Sequence, residues 1–203
     1  MNATRPRMPA EERRLCVLAA ASRVFARASY RGATTAEIAR ECGVSEPVLY
    51  RHFRSKQDLY LSCLDAGWER VRALWEQTLA NEPDPQEWLS AMGRAYMALQ
   101  QSGEKILLAE LWIQALGVAG EDSKIRRYLR DQVRAVHAFV ADVIRRSQAA
   151  GGVRPERDAE AEAWIFISLG LLGTLDRRLG IVGDDMDRVY ASRRAWMLGG
   201  GAS

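Results

Sequence analysis

Residues 34–56 read TTAEIARECGVSEPVLYRHFRSK, a stretch that predicts two short helices joined by a tight turn, with another helix starting directly after them. Thr34 followed by Glu37 is the pattern of a capping box, in which the hydroxyl accepts the backbone N–H three residues on and the carboxylate reaches back. Gly43 is suited to end the first helix in the left-handed conformation. The pattern predicts a helix-turn-helix, whose second helix can lie in the major groove of DNA.

The next two helices carry start signals of their own. Ser45 is the expected N-cap of the second helix, and Pro47 falls in its first turn, where a missing backbone N–H costs nothing. Ser55 and Asp58 form another capping box at the start of the helix that follows. Local chemistry therefore specifies where each helix in this stretch begins.

Several residues of the stretch match those of one known family in type and spacing. They are Thr34-Thr35, Ile38-Ala39, Gly43-Val44-Ser45, Leu49-Tyr50, His52-Phe53 and Lys56. On these residues the chain resembles the tetracycline-repressor (TetR) family of bacterial transcriptional regulators. The resemblance covers about residues 10–64, because a predicted helix from about Ala10 to Ala28 also fits. One departure is Pro47-Val48, which stands where members commonly have a glycine and a threonine, so that a hydroxyl donor is replaced by apolar surface.

The resemblance implies an all-α fold of about nine helices in two domains. Residues 1–55 would form a three-helix DNA-binding domain, and residues 56–203 a helical domain for effector binding and dimerisation. The period of 3.6 residues continues through this second part, with turn signals between the segments and no strand-like alternation. The further helices are expected at about Ser55–Leu79, Asp84–Gln101, Lys105–Ala119, Ser123–Ala149, Asp158–Leu179 and Asp185–Leu198.

Composition limits the possible functions. The chain has 203 residues, of which 48% are hydrophobic, and is long enough to bury a core. No apolar run reaches the roughly 18 residues that a membrane-spanning helix needs, and no signal peptide is recognisable, so we expect a cytoplasmic protein without a membrane partner. Residues 1–58 hold 11 basic against 6 acidic residues, and the remainder holds 18 against 20. Such a basic N-terminal part is typical of a phosphate-binding module.

The motif and the resemblance together define a set of expected DNA contacts. They are Thr34, Thr35, Ser45, Glu46, Pro47, Val48, Tyr50, Arg51, His52 and Lys56. Glu46 can accept a hydrogen bond from a cytosine amino group, although it can equally complement the dipole of its own helix. By resemblance, Tyr50 and Lys56 bind the phosphate backbone, and the two threonines donate on the other side of the groove. Leu49 and Phe53 lie on the opposite face and are expected in the core.

The predicted helix from Asp158 is apolar nearly all round and must be covered on more than one side. A second subunit is a natural cover, unless the helix is simply buried inside a monomer. By resemblance, this helix and the Ser123–Ala149 helix form a four-helix bundle with their symmetry mates. The expected residues of the homodimer interface are Val136, Val140, Trp164, Phe166, Ile167, Gly170, Leu171, Gly173 and Thr174. Two heads about one DNA turn apart would read a pseudo-palindromic operator in double-stranded DNA.

Apolar stripes on the three helices between residues 55 and 119 are what an ordinary core requires. By resemblance, however, these helices surround a mostly apolar cavity, in which a small hydrophobic or aromatic effector changes the distance between the heads. The expected lining residues are Trp68, Trp88, Met92, Tyr96, Leu108, Leu111, Trp112 and Ala115. Gln114 can provide a polar contact in such a cavity.

No motif of an enzyme is present, and no cofactor or metal is expected. The two histidines, His52 and His137, have no second ligand at metal-binding spacing, and the three cysteines are expected to be free thiols. The resemblance implies a repressor that a small ligand releases from its operator. Two alternatives stay open: a regulator of the same fold without a small-molecule effector, and an all-α binding protein or enzyme whose basic N-terminal part is incidental.

Overall fold

The computed structural model describes residues 9–101 and 107–199, without the side chains of residues 100, 101, 107 and 108. Within these ranges the chain forms nine helices and no strand, which confirms the expected all-α class. The helices are α1 (Ala10–Gly32), α2 (Thr35–Cys42), α3 (Glu46–His52), α4 (Lys56–Asn81), α5 (Trp88–Gln101), α6 (Leu107–Ala119), α7 (Ser123–Ala149), α8 (Ala159–Leu179) and α9 (Asp185–Leu198). None of the helices in these ranges is long and apolar enough to cross a membrane.

The helix boundaries follow the expected signals except at the end of α1 and before α5. The first helix continues to Gly32 instead of ending at about Ala28, with a non-helical residue at Ser29 (φ +65°). The expected start at Asp84 is wrong, because residues 85–87 form a turn and the helix begins at Trp88. The Asp84 carboxylate accepts the backbone N–H of Gln86 at 2.9 Å, a local bond that favours a turn over a helix. The expected start of α6 at Lys105 lies outside the described residues.

The described chain divides into two compact units. The first contains α1 to α3, α4 as far as Arg70, α6, and α7 as far as Leu129. The second contains the rest of α4 and α7 together with α5, α8 and α9. This division does not coincide with the expected boundary after residue 55, because α6 packs along α1.

The core of the first unit joins the helix-turn-helix to α4 and α6. Leu49 is fully buried and Phe53 is 1% exposed, as expected. Tyr60 on α4 is also fully buried, with its ring edge-on to Phe25 at a centroid distance of 4.9 Å. Burial raises the pKa of the Tyr60 phenol well above its ordinary value, so this hydroxyl stays protonated.

The core of the second unit contains an aromatic cluster around Trp75 of α4. The ring of Trp75 lies 6.3 Å from that of Tyr96, 5.8 Å from that of Phe139 and 5.9 Å from that of Phe166, measured between centroids. Its indole N–H donates to the backbone carbonyl of Met92 at 3.0 Å. These four aromatic residues are called the Trp75 cluster below. They come from α4, α5, α7 and α8 and hold those helices together.

The three cysteines are free thiols, in agreement with the expectation. Cys63 is buried, whereas Cys16 and Cys42 are half-buried. Burial raises the pKa of Cys63 to about 12 and that of Cys42 to about 12. Both of these thiols are therefore protonated at neutral pH.

Candidate nucleic-acid interface

The expected capping box of α2 forms only in part. The Thr34 hydroxyl accepts the backbone N–H of Glu37 at 3.1 Å, as expected. The Glu37 carboxylate does not reach back; it pairs instead with the guanidinium of Arg27 on α1 at 2.8 Å. Gly43 ends the helix with a φ of +69°, and its N–H bonds the carbonyl of Ala39. The turn of the helix-turn-helix is thus built by the residues that predicted it.

The start of α3 lacks the expected side-chain cap. Ser45 is the N-cap residue, but its hydroxyl makes no cap bond. Capping needs the N–H of the second or third helical residue, and Pro47, the second, has none. The third, Val48, bonds the backbone carbonyl of Ser45 at 3.0 Å. The exposed Ser45 hydroxyl consequently has no hydrogen-bond partner among residues 9–101 and 107–199, and it can donate to a phosphate.

The capping box at the start of α4 forms as expected on one side. The N–H of Asp58 donates to the Ser55 hydroxyl at 3.0 Å. The Asp58 carboxylate reaches back to the N–H of Arg54 at 2.8 Å, one residue earlier than in the usual box. The link between α3 and α4 is therefore held by side chains at both of its ends.

Three of the expected DNA contacts meet in one hydrogen-bonded chain between α2 and α3. The Thr35 hydroxyl donates to a carboxylate oxygen of Glu46 at 2.5 Å. The Tyr50 hydroxyl lies 3.2 Å from the same Thr35 oxygen. This trio is called the Tyr50–Thr35–Glu46 chain below. Thr35 therefore holds two residues of the second helix instead of standing free for a phosphate.

Lys56 is turned inward in this structure. Its ammonium donates to the backbone carbonyl of Arg31 at 3.3 Å and lies 5.1 Å from the centroid of the Tyr30 ring. Partial burial lowers the pKa of the Lys56 amine. An ammonium has three N–H donors, so a phosphate contact remains open to it, but part of its bonding already ties α4 to the end of α1. The expected phosphate contact of Lys56 stays a prediction.

The structure separates paired arginines from unpaired ones. Arg23 lies 2.7 Å from Glu41 and lowers the pKa of that carboxyl, and Arg27 pairs with Glu37 and Glu41. The three arginines between residues 40 and 54, by contrast, are exposed and have no ion pair within the described part of the chain. They are Arg40, Arg51 and Arg54. Of these three, sequence reasoning predicted only Arg51 as a DNA contact, because the pairing of arginines depends on how α1 packs against α2.

The other expected DNA contacts are accessible to differing degrees. Thr34 and Pro47 are exposed, and Tyr50 is 46% exposed. Val48 and His52 are partly buried. The accessible members belong to the starts of α2 and α3 and to the outer side of α3, which is the side that a helix-turn-helix presents to DNA.

The expected effector-lining residues are distributed over both compact units. Trp68, Leu111, Trp112 and Ala115 belong to the first unit, and Trp88, Met92 and Tyr96 to the second. The side chain of Leu108 lies outside the described residues. Leu111 is 1% exposed and Ala115 fully buried, both in the core that contains α1. Gln114 is engaged as well, because its amide donates to the carbonyl of Ala26 at 2.9 Å.

An apolar stripe is exposed on α8. Trp164 and Leu171 are each 46% exposed, and Leu175 is 45% exposed. Residues 7 and 11 positions apart lie within about 20° of one line along a helix, so these three side chains share one face. They are called the α8 stripe below. The remaining half-covered residues of the expected interface are Val136, Ile167 and Gly170.

Other expected interface residues are covered by their own chain. Val140 is fully buried, Thr174 is 7% exposed, and Gly173 is buried. The Phe166 ring belongs to the Trp75 cluster. In the single chain these residues have little exposed surface. Their place in the homodimer interface stays a prediction.

Sequence reasoning assigned no role to α9, which forms an open groove with α8. The groove has a volume of about 600 Å³, and Leu169, Val189 and Trp196 are among the residues that line it. A buried carboxylate holds the two helices together, since Glu162 pairs with Arg193 and accepts the indole N–H of Trp196 at 3.3 Å. In the sequence, the signal that could have indicated a role for α9 was Trp196, a large apolar residue. In the structure its side chain is 51% exposed. The groove has polar lining residues as well, including Asp185 and Arg188, so its surface is mixed.

Two family models match the chain, one in each half. Residues 17–63 match the model described as bacterial regulatory proteins of the tetR family. Residues 85–170 match the model described as the C-terminal part of BetI-type transcriptional repressors. The first match contains α2 and α3, and the second reaches from the turn before α5 into α8.

Individual proteins show the same similarity. Over 90 residues the chain is 41% identical to the HTH-type transcriptional activator FasR of Mycolicibacterium smegmatis, an alignment that covers 44% of this chain and 41% of FasR. A TetR transcriptional regulator from Chloroflexus aurantiacus has a crystal structure with a TM-score of 0.78 at 21% identity, covering 92% of this chain and 94% of that one. FadR of Bacillus subtilis, solved in complex with stearoyl-CoA, has a TM-score of 0.72 at 14% identity, covering 93% of this chain and 99% of FadR. These relatives are transcriptional regulators and not enzymes.

Proposed function

This chain belongs to the TetR family of bacterial regulatory proteins, and we propose that it is a homodimeric repressor that a small apolar ligand releases from a pseudo-palindromic operator. The observation that carries the proposal is the path of α4. This helix starts beside α3 at Lys56, contributes Tyr60 to the first core, and contributes Trp75 to the Trp75 cluster. A continuous helix with residues in both cores can transmit a change in one to the other.

The surface of α2 and α3 supports operator binding. Arg40, Arg51 and Arg54 are exposed and, within the described residues, unpaired, and the Ser45 hydroxyl is also available. Cations and hydroxyl donors are the groups that bind DNA phosphates. They would hold α3 in the major groove, where its first residues face the base edges. DNA binding would place the protein at the nucleoid in the cytoplasm.

The uncovered apolar surface supports a homodimer. A solvated monomer would leave the α8 stripe open to water, and the α8–α9 groove exposes further apolar side chains, among them Leu169, Val189 and Trp196, beside polar ones. A second copy of the chain is the occupant we propose, because a two-fold pair of heads is what a pseudo-palindromic site requires. The interface would consist of α8 and α9, in place of the α7 and α8 pair expected from the sequence.

The Trp75 cluster supports an apolar effector. Its aromatic rings come from four helices, so a molecule that inserts among them must separate helices that include α4. FadR shares the fold and binds stearoyl-CoA, so this fold can accommodate an acyl chain. The ligand must favour one arrangement of the heads over the other, since equal affinity for both would shift nothing.

The proposal has two candidates for the sign of regulation, repression and activation. The matched C-terminal model carries the name of a repressor, which supports repression. FasR is a transcriptional activator, so activation is the second candidate. Transcription in vitro from the selected operator decides between them, because a repressor lowers and an activator raises the amount of transcript.

The test begins with selection of bound duplexes from a randomised DNA library by the purified chain. We expect a two-fold symmetric site, retained at nanomolar protein and lost at high salt. The complex is then titrated with free fatty acids, acyl-CoA thioesters and aromatic acids, and release is followed by anisotropy. A selected operator that no compound in the panel releases would favour the regulator without a small-molecule effector. Failure to enrich any sequence would contradict operator binding itself.

A further inference from the structure

The Tyr50–Thr35–Glu46 chain has a fixed direction. A carboxylate can only accept hydrogen bonds, so the 2.5 Å contact between Thr35 and Glu46 uses the hydroxyl hydrogen of Thr35. A hydroxyl has one hydrogen to donate. The 3.2 Å contact between Tyr50 and Thr35 must therefore run from the Tyr50 hydroxyl to the Thr35 oxygen. The chain points from Tyr50 through Thr35 to Glu46, and each bond polarises the next.

This arrangement leaves one oxygen of the Glu46 carboxylate available. One oxygen accepts from Thr35, and the other has no hydrogen-bond partner in the part of the chain that the structure describes. The side chain is half-buried at the first residue of α3, the helix proposed to enter the major groove. Phosphate oxygens only accept hydrogen bonds and are negatively charged, so they repel a carboxylate. Of the groups that DNA presents, only donors on the bases can therefore bond this oxygen.

The alternative role of Glu46, serving the dipole of its own helix, fits the geometry less well. A carboxylate in that role would accept backbone N–H groups of the first turn of α3. Instead it is held by a side chain of α2. Within the described residues, the Glu46 carboxylate accepts no backbone N–H of this first turn.

We propose that Glu46 reads the amino group of a cytosine in each operator half-site, and that Thr35 and Tyr50 are the residues that position it. This inference rests on the proposed operator binding. The major groove presents two amino donors, N4 of cytosine and N6 of adenine. Beside its amino group, adenine presents the acceptor N7, which repels a second carboxylate oxygen. Cytosine has no such acceptor on its own ring edge, so a carboxylate selects it, whereas guanine and thymine offer Glu46 no donor there.

The test repeats the library selection with the full chain and four variants. The wild type should enrich cytosine at one position of each half-site, by about 5- to 150-fold in affinity over the other bases. Glu46→Ala should bind the same site without preference at that position. Glu46→Gln should prefer adenine there, because an amide can pair with both N6 and N7. The other positions of the site should be unchanged in both variants.

The positioning role is tested by Thr35→Val and Thr35→Ser. The valine variant keeps the shape but removes the hydroxyl, and should weaken the cytosine preference several-fold at that position only. The serine variant keeps the hydroxyl and should restore the preference. A purely structural role for Thr35 would lower binding to all sequences alike. Circular dichroism melting of each variant shows whether the fold is retained.

The two levels of the proposal fail differently. If Glu46→Ala and Glu46→Gln select the same base as the wild type at every position, the reading role of Glu46 is refuted while operator binding stands. If the wild type enriches no sequence, operator binding fails and the reading role fails with it. A preference that changes with Glu46 but not with Thr35→Val refutes the positioning role alone.

Discussion

The hydroxyl of Tyr60 on α4 donates a hydrogen bond to the backbone carbonyl of Leu111 on α6 over 2.8 Å. Tyr60 is fully buried and Leu111 is 1% exposed, so water does not compete for this bond. The bond connects α4 to α6. Because α6 packs along α1, the bond links α4 indirectly to α1, which supports the DNA-binding surface. The proposed signal from the Trp75 cluster along α4 would pass this point.

Tyr60→Phe removes this bond without changing the shape of the side chain. We expect a loss of about 1 kcal/mol in the free energy of unfolding, typical of one buried neutral hydrogen bond. We also expect unchanged operator affinity but a higher effector concentration for half-release, since α4 and α6 would be less tightly coupled. The matched control is Tyr128→Phe, whose exposed hydroxyl bonds Asp65 at 2.7 Å and should matter little. Equal release by Tyr60→Phe and wild type would count against this route.

Leu171→Glu places a charge in the middle of the α8 stripe. We expect a monomer in sedimentation velocity at micromolar concentration, because a carboxylate cannot be desolvated in an apolar interface without a partner. The control is Leu116→Glu on α6, where a leucine with 51% exposure should tolerate the charge and leave the protein dimeric. If both variants sediment like the wild type, the stripe is not the interface.

Arg51→Ala and Arg27→Ala distinguish an unpaired arginine from a paired one. Each dimer carries Arg51 twice, so loss of its phosphate contact should reduce the slope of log affinity against log salt by about 1.8. Arg27 pairs with Glu37 and Glu41, so its removal should leave the slope unchanged and cost at most a small amount of stability. The measurement is operator binding at several salt concentrations. A slope that falls equally for both variants would show that pairing does not decide which arginines bind phosphate.

The thiols of Cys42 and Cys63 should be nearly inert in the folded protein. Their pKa values, each raised by burial to about 12, leave a thiolate fraction on the order of one in ten thousand at pH 8. Iodoacetamide labelling followed by mass spectrometry should therefore modify both slowly in buffer and rapidly in denaturant, where burial is lost. Rapid labelling of Cys63 in the folded protein would show that α4 opens away from α1.

The features that local chemistry controls were predictable. Gly43 ends α2 with a positive φ, Thr34 caps it, and Ser55 caps α4, because each bond forms between residues close in the chain. The start of α5 was not predicted. The side chain of Asp84 stabilises a turn before the helix, and Pro85 by itself does not indicate that turn. The family models and related structures agree with the expected regulator.

The partners of the functional side chains were not predictable. Sequence reasoning gave Thr35 and Lys56 the role of phosphate contacts, which stays a prediction, but did not predict that their polar groups bond Glu46 and the carbonyl of Arg31. Both partners lie more than ten residues away along the chain. Likewise, sequence reasoning placed Val140 of α7 and Leu171 of α8 in the same expected interface, but packing covers Val140 and leaves Leu171 exposed.

The sequence by itself determined that this protein is an all-α regulator with a helix-turn-helix, because helix periodicity, caps and turn glycines act over one to four residues. Only the tertiary structure decided which arginines remain unpaired, which apolar face stays uncovered, and that the carboxylate of Glu46 is held by α2. Those outcomes depend on contacts between segments far apart in the chain, where each polar or apolar group has several possible partners and the packing of the helices selects one.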